Sequence, residues 1–128
     1  MNHNYSDTIQ LFEYSEKLTG VYNARNKSIS ATGLTNQDME DIETLLRRMH
    51  QEHSNKLLPF DEYTFQYVPT ITQPYQEKLI WVNALCSGQE DDWREKIIFV
   101  EGGGNCYFKV DVNLGTGDYY KLVINDDK

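Results

Sequence analysis

Apolar and polar positions near the end of the chain form three runs separated by two glycine-rich turns. Residues 97–100 are continuously apolar, a pattern typical of a strand covered on both faces. Residues 106–112 alternate between apolar and polar side chains, and residues 119–124 follow with Tyr120, Leu122 and Ile124 as their apolar face. The first turn can adopt positive φ at several glycines and reverse the chain. The pattern predicts a three-stranded antiparallel meander.

An apolar stripe earlier in the chain predicts one long helix. Its members recur at helical spacing: Met39, Ile42, Leu45, Leu46 and Met49. Thr35 is a favourable N-cap and Asp38 occupies the third helical position, which is close to a capping box. The helix is predicted to run from about Asn36 to His53 and to pack its stripe on the sheet.

Two runs between the helix and the meander predict the middle of the sheet. Residues 63–71 alternate, although Pro69 places the end of that strand at an edge or a bulge. Residues 78–86 are apolar on both faces, as expected of a central strand. Before the helix, residues 28–32 predict a short strand, and residues 7–17 fit either a short helix or an edge strand.

The element order predicts the fold class α+β, with one long helix packed on a curved antiparallel sheet of four to five strands. A length of 128 residues suits a single domain with its own core, so we predict one domain over residues 1–128 with residues 1–6 frayed. No linker, repeat or low-complexity segment interrupts it.

The excess of acidic over basic residues indicates which classes of molecule the protein is suited to bind. Twenty acidic residues against twelve basic ones give a net charge of −8, which argues against nucleic acid or an anionic membrane as the main partner. A basic protein partner is compatible with that charge. No apolar run approaches the roughly 18 residues that a membrane helix needs, so no membrane span is predicted. The first 30 residues hold no signal-peptide core, which predicts a cytoplasmic protein, or a periplasmic or envelope protein if the chain is a trimmed mature form.

Tyrosine and cysteine leave two structural alternatives open. Nine tyrosines suit sheet faces and interfaces, and tyrosine-rich outer faces could mediate a homodimer. The two cysteines, Cys86 and Cys106, both lie in apolar strand contexts. They could be buried thiols, or a disulfide if their strands are neighbours.

Candidate catalytic and metal-binding groups are sparse. His50 and His53 lie three apart on the predicted helix without a third ligand at suitable spacing, so we interpret them as a solvated helix end. Asp111, Asn113 and Asp118 flank a glycine turn but lack the further ligands of a calcium loop. No phosphate loop, nucleophile motif or dinucleotide fingerprint is present. The sequence therefore predicts no enzyme, no catalytic residue, no cofactor and no metal site.

The first glycine turn resembles the inhibitory hairpin of the cystatins. In that family a Gln-Val-Val-Ala-Gly loop is followed by Thr-Asn-Tyr and a strand ending in Lys-Val. Here Gly103 matches the glycine, Asn105 the asparagine and residues 109–110 the Lys-Val, while Phe99 stands where the family has glutamine. The resemblance implies a helix cradled by an antiparallel sheet, and a loop that wedges into a papain-type protease.

The last third of the chain is also similar to a group of small, uncharacterised proteins of Bacteroidetes-type bacteria, several of them predicted lipoproteins. The shared positions are Trp81-Val82-Asn83, Cys86, Trp93, Gly103-Gly104-Asn105-Cys106-Tyr107-Phe108, Asn113-Leu114 and Val123-Ile124-Asn125. The lipoprotein members imply an envelope location. The group implies no particular activity.

These observations predict a non-enzymatic protein-binding module. One concrete form is an immunity protein that neutralises a toxin, its basic partner, through acidic loops. The predicted partner-binding residues are Glu90, Asp91, Asp92, Glu101, Gly102, Gly103, Gly104, Asn105, Tyr107 and Tyr119. The alternatives are a cystatin-like protease inhibitor, and a small-ligand-binding envelope protein with a pocket between helix and sheet.

Overall fold

One long helix lies on a six-stranded mixed sheet. The computed structural model describes residues 7–15, 29–88 and 90–126, so the predicted fraying of residues 1–6 lies outside the described residues. The elements are β1 (Ile9–Leu11), β2 (Ile29–Ala31), α1 (Asn36–Glu52), β3 (Tyr63–Thr72), β4 (Lys78–Cys86), β5 (Tyr107–Asn113) and β6 (Asp118–Ile124). The strand order is β1-β3-β4-β5-β6, and β2 also pairs with β3. The predicted α+β class is confirmed.

The sheet is larger than predicted and is not purely antiparallel. Six strands replace the expected four to five, and β1 pairs with β3 in parallel. Both short strands lie along the outer side of β3, where β1 is opposite Phe65–Tyr67 and β2 is opposite Thr70–Thr72. Pro69 falls in the gap between these two partners, a position where a residue without an N–H group breaks no ladder bond to them.

The helix begins as its sequence predicts. The Thr35 side chain accepts a hydrogen bond from the Asp38 amide at 3.0 Å, and the Asp38 carboxylate accepts one from the Thr35 amide at 3.0 Å. This reciprocal capping box satisfies two amides that have no partner within the helix. The same carboxylate pairs with Lys78 Nζ at 2.6 Å, which ties the start of α1 to the start of β4.

The core lies between α1 and one face of the sheet, here called the helix face. The predicted helical stripe is buried in full. It packs on alternate residues of the three central strands: Tyr63, Phe65 and Tyr67 of β3, Ile80, Val82 and Ala84 of β4, and Phe108, Val110 and Val112 of β5. Three of these nine are aromatic rings on one strand, so β3 forms the aromatic floor under the helix.

The predicted meander is wrong in its first strand. Residues 97–100 are not a strand, and β5 pairs with β4 and β6 instead. The segment 90–100 crosses the opposite face of the sheet, here called the far face, and Ile98 is buried against it. The apolar run is therefore a cover on the sheet and not a member of it.

Two buried side-chain amides hold that cover in place. Gln66 and Asn83 are paired across β3 and β4 and point to the far face. Gln66 Nε2 donates to the carbonyls of Trp93 and Lys96 at 2.6 and 2.7 Å, and its Oε1 accepts from the Ile98 amide at 3.0 Å. Asn83 Nδ2 donates to Gln66 Oε1 at 2.9 Å and to the Ile98 carbonyl at 2.7 Å. Hydrogen bonds to these two side-chain amides thus take the place of the backbone hydrogen bonds that residues 97–100 would make as a strand.

A bulge changes which side chains of β6 point to each face of the sheet. The β5–β6 register shifts between Lys109 and Asp111, and Lys121 has a φ of 58°. As a result Tyr119, Leu122 and Ile124 pack against the core, whereas Tyr120 turns to the far face. The predicted alternation of this strand is therefore wrong at Tyr120, because a bulge adds one residue to the strand.

The two cysteines form a disulfide, which resolves the alternative that the sequence left open. Cys86 ends β4, and Cys106 lies in the short 3-10 turn that leads into β5, with their Cα atoms 4.8 Å apart. The bond closes the chain around the far-face segment. Among the described residues, no helix combines the length and the apolar character that crossing a bilayer demands.

Candidate functional site

The far face of the sheet is covered over one half and open over the other. The segment 90–100 runs over β4 and β3 towards β1, where Arg94 donates to Gln10 Oε1 at 3.1 Å. The half formed by β5 and β6 lies beyond this cover. We call this region, with the segment's edge at Phe99, the open patch.

Apolar side chains are exposed at the open patch. Phe99 is 64% exposed, Val123 53% and Tyr120 38%. The Phe99 ring lies against Trp81, with the two ring centroids 6.3 Å apart, so the exposed ring rests on a buried one. Trp81 and Tyr120 are both cross-strand neighbours of Asp111, which places the aromatic groups on one surface.

A shallow groove of about 430 Å³ runs beside these side chains. It is lined by Val100, Glu101, Gly102, Lys109, Val123, Ile124, Asn125 and Asp126. Lys109 is half-buried in it, and within the described chain its ammonium group makes no ion pair. Glu101 and Asp126 are exposed on the rim. The groove thus offers one positive group at its base and two negative groups at its edge.

The glycine turn forms one wall of the groove and is held firmly. Gly102, Gly103 and Gly104 all have positive φ, as predicted. A Cβ on Gly103 would lie 2.6 Å from the Tyr107 ring, so only glycine fits beneath that ring. Asn125 Nδ2 donates to the carbonyls of Val100 and Gly102 at 2.7 and 2.8 Å.

The far end of the same turn is attached to the core. The Gly104 amide donates to the Asp126 carbonyl at 2.6 Å, and the Tyr63 hydroxyl donates to the Asn105 carbonyl at 2.6 Å. Gly104 is buried. Gly102 lines the groove, and Gly103 is exposed, so only the end of the turn at Gly104 is buried.

The predicted acidic loop lies near the groove, but its three carboxylates differ in availability. Glu90 accepts a hydrogen bond from the Tyr107 hydroxyl at 3.3 Å, and Asp92 pairs with Lys96 at 3.1 Å. Asp91 is exposed. Burial raises the pKa of Tyr107, and the adjacent Glu90 carboxylate raises it further. Asp91 and Glu101 are therefore the carboxylates most available to a partner.

Tyr119 lies apart from the other predicted site residues. It packs on the helix face at the end of α1, where its hydroxyl donates to Glu52 and its ring lies 5.3 Å from the Arg48 guanidinium. The hydrogen bond to Glu52 is the main cause that raises the pKa of Tyr119. Tyr107 stands at the other end of the hairpin and on the far face, so one partner surface does not contain both tyrosines.

Asp111 is the most perturbed carboxyl of the open patch. Burial raises the pKa of Asp111 from 3.8 to about 6, and the charge of Lys121 lowers it in part. Between about pH 3.8 and 6, the Asp111 carboxyl is therefore protonated in the folded protein but ionised in the unfolded chain. Stability therefore falls as pH rises from about 3.8 towards 6, and the Asp111 charge stays unfavourable above that range.

We expect Asp111→Asn to raise the free energy of unfolding at pH 7 by on the order of 1 kcal/mol, since water screens part of the carboxylate charge. The gain should vanish below pH 4, where the carboxyl is protonated in both states. Urea unfolding across pH 4 to 8 measures this difference, with Asp91→Asn as the exposed control. A gain that is equal at both ends of the pH range would contradict the assignment.

The described residues contain no group of three or more potential metal ligands. His50 Nε2 lies 2.6 Å from the Leu58 carbonyl, and His53 packs against Tyr119 with ring centroids 6.3 Å apart. Asn113 Oδ1 accepts from the amides of Gly115 and Thr116 at 2.7 and 3.1 Å. The Asn113 contacts are those of the predicted hairpin turn. The two histidines lie at the helix end, but the prediction that this end is solvated is wrong, because both side chains are half-buried and contact protein groups.

Sequence reasoning missed the exposed apolar residues of the open patch. Phe99 sits in an apolar run that indicates a buried strand, and the facing of Tyr120 depends on the bulge at Lys121. Lys109 fits the apolar–polar alternation of its strand, and nothing in the sequence around it indicates a groove. Only the glycine triplet signalled a close approach of the chain in this region.

No family model matches this chain, and searches of the curated proteins and of the solved structures return no match.

Proposed function

We propose that this protein is a non-enzymatic protein-binding module that holds its partner on the open patch. The observation that carries the proposal is the set of exposed apolar side chains, Phe99, Tyr120 and Val123, beside one groove. Apolar patches rimmed by polar groups commonly mark interaction surfaces. Because Glu101 and Asp126 are exposed on the rim and Asp91 is exposed on the acidic loop, the fitting partner is a basic protein with an apolar centre to its contact surface.

More specifically, we propose that the protein is an immunity protein whose partner is a toxin with a basic active site. The net charge of −8 would speed the encounter with such a partner. The Cys86–Cys106 disulfide supports a location in an oxidising compartment such as the periplasm or envelope. Protease inhibition by the glycine turn has less support, because Gly104 is buried.

Replacing Phe99 by alanine should weaken binding of the partner by at least about tenfold, because exposed aromatic side chains at the centre of a contact are typical hot spots. Asp91→Lys with Glu101→Lys should lower the association rate and its salt dependence. The partner is first captured from a lysate of the source organism, and its affinity and association rate for each purified variant are then measured by surface plasmon resonance at two salt concentrations.

The matched control is Glu40→Lys with Glu13→Lys, which changes the net charge equally at exposed positions away from the groove. Thermal unfolding should be unchanged in Phe99→Ala, since that ring is largely exposed. A partner that binds both patch variants as tightly as the wild type would refute the open patch as its site. Self-association lost in Phe99→Ala would instead identify the partner as a second copy of the chain.

A further inference from the structure

A carboxylate lies in the middle of the open patch, between aromatic side chains. Asp111 is on β5, and its cross-strand neighbours on the far face are Trp81 of β4 and Tyr120 of β6. Directly opposed side chains in an antiparallel pair have Cβ atoms about 5 Å apart. The ring of Phe99, in the cover, lies against Trp81 with the ring centroids 6.3 Å apart. Asp111 therefore has an aromatic side chain on each side of it across the sheet.

The Asp111 carboxylate is left without a partner by the described residues. It is half-buried, and in residues 7–15, 29–88 and 90–126 no side-chain hydrogen bond or ion pair includes it. Lys121 is exposed and lies over the Tyr120 ring instead, with Nζ 5.8 Å from the ring centroid. Aspartate is disfavoured in strands, and a partly desolvated carboxylate without a paired cation costs stability. A cation from outside the chain would offset that cost.

The charged and titratable groups around Asp111 do not neutralise it. Lys109 lies two positions along β5 on the same face, and Lys121 on β6 lowers the pKa of Asp111 only in part. Tyr120 is uncharged at neutral pH, because burial and then the charges of Asp111 and Glu77 raise its pKa. From β4 and the cover the neighbours are the two rings named above, which do not titrate. Burial therefore outweighs these charges, and carboxyls perturbed in this way are common at functional sites.

We infer that Asp111 receives an arginine of the partner protein, whose guanidinium pairs with the carboxylate and lies against the rings of Tyr120 and Phe99. This inference rests on the proposed function, because it names the group that a basic partner places on the open patch. A guanidinium fits better than an ammonium group, since it is planar, forms two parallel hydrogen bonds with one carboxylate and stacks on aromatic rings. The exposed rings also attract a cation through their faces.

The test uses Nα-acetylarginine amide as the probe, titrated into the full chain and followed by NMR at the backbone amides and at the Asp111 carboxyl carbon. Saturable binding with a Kd on the order of 1 mM is expected, with the largest shifts at Asp111 and Tyr120. Asp111→Asn should weaken binding at least about tenfold, because it removes the charged acceptor. Tyr120→Leu should weaken it about threefold, because it keeps an apolar side chain but removes the aromatic ring.

A pH profile gives a readout that a purely structural role of Asp111 would not produce. The affinity of the wild type for the probe should fall about tenfold from about pH 7.5 to about pH 5, as the carboxyl takes up its proton. The probe should in turn lower the pKa of Asp111, since it binds the ionised carboxyl. In Asp111→Asn the affinity should not change over this range.

Two controls separate this site from non-specific attraction to an acidic protein. Nα-acetylcitrulline amide, which has the shape of the arginine probe without its charge, should bind at least about tenfold more weakly. Glu40→Gln, at an exposed position of α1, should bind the arginine probe like the wild type. Equal affinity for the two probes, unchanged affinity in Asp111→Asn, or no saturation at concentrations on the order of 10 mM would overturn the inference.

The captured partner separates a failure of this inference from a failure of the proposed function. Asp111→Asn should weaken its binding at least about tenfold, even though the variant protein is the more stable one. If Phe99→Ala weakened partner binding and Asp111→Asn did not, the open patch would stand and the arginine site would be wrong. If neither variant weakened it, both would be wrong.

Discussion

Replacing Gln66 by leucine is expected to lower the free energy of unfolding by about 3 kcal/mol or more. The amide of Gln66 is fully buried and makes four hydrogen bonds, to the segment 90–100 and to Asn83. Leucine would leave the carbonyls of Trp93 and Lys96 and the amide of Ile98 without partners under the cover. Urea unfolding measures the loss, and hydrogen exchange at the Ile98 amide should become much faster.

The role of the Gln66 Nε2 donor can also be tested with a near-isosteric substitution. Gln66→Glu keeps the acceptor for the Ile98 amide but replaces the Nε2 donor with an oxygen that faces the Trp93 and Lys96 carbonyls. We expect this variant to be less stable at pH 7 than at pH 4, because a protonated carboxyl can donate one of the missing bonds. Gln51→Leu, on the exposed face of α1, is the control. A loss under about 1 kcal/mol in Gln66→Leu would show that the cover does not depend on this amide.

Removing the disulfide is expected to lower the free energy of unfolding by about 2–4 kcal/mol. Cys86 and Cys106 are separated by 20 positions, and the loop between them contains the far-face cover and the glycine turn. In the chain-entropy account, opening this loop gives the unfolded chain more freedom than the folded chain gains. Cys86→Ser with Cys106→Ser, unfolded in urea beside the wild type, measures the difference.

A reductant separates this effect from the change of side chain. Reduced wild type should fall to the stability of the double serine variant, and that variant should not respond to the reductant. Hydrogen exchange should increase in residues 87–105 more than in β3 and β4, because the bond joins the cover to the sheet. If reduction left the unfolding midpoint unchanged, the bond would have no part in stability.

The disulfide and the Gln66 amide both hold in place the segment that forms the edge of the open patch. The disulfide fixes both ends of the segment that carries Phe99, and Gln66 with Asn83 fixes its middle. Loss of either should therefore weaken partner binding even though neither Gln66 nor the disulfide lies in the groove. Phe99→Ala differs from them, since it should weaken binding without loss of stability.

Local patterns were sufficient where the interaction that decides the structure is also local. Thr35 and Asp38 lie three residues apart and cap α1 through each other, so their spacing predicts the helix start. The helical stripe and the central position of β4 follow from apolar periodicity, because burial of one face depends on the order of side chains along the element. The α+β class followed from these elements.

The candidate site depended instead on residues far apart in the chain. Phe99 is exposed because Gln66 and Asn83, 33 and 16 positions earlier, take up the hydrogen-bonding groups of its segment. The same apolar run would equally suit a strand, since periodicity does not record what a backbone is bonded to. Tyr120 lies on the far face because of a bulge that the sequence does not mark.

The sequence by itself determined the helix and its caps, the central strands, the turn glycines and the acidic character of the protein. These depend on propensity, spacing and composition, which act between near neighbours or on the chain as a whole. Tertiary structure alone decided the parallel β1, the disulfide, the far-face cover and the groove. Each of these arises where segments distant in sequence compete for the same hydrogen bonds or the same apolar surface, and that competition is settled only when the chain is folded.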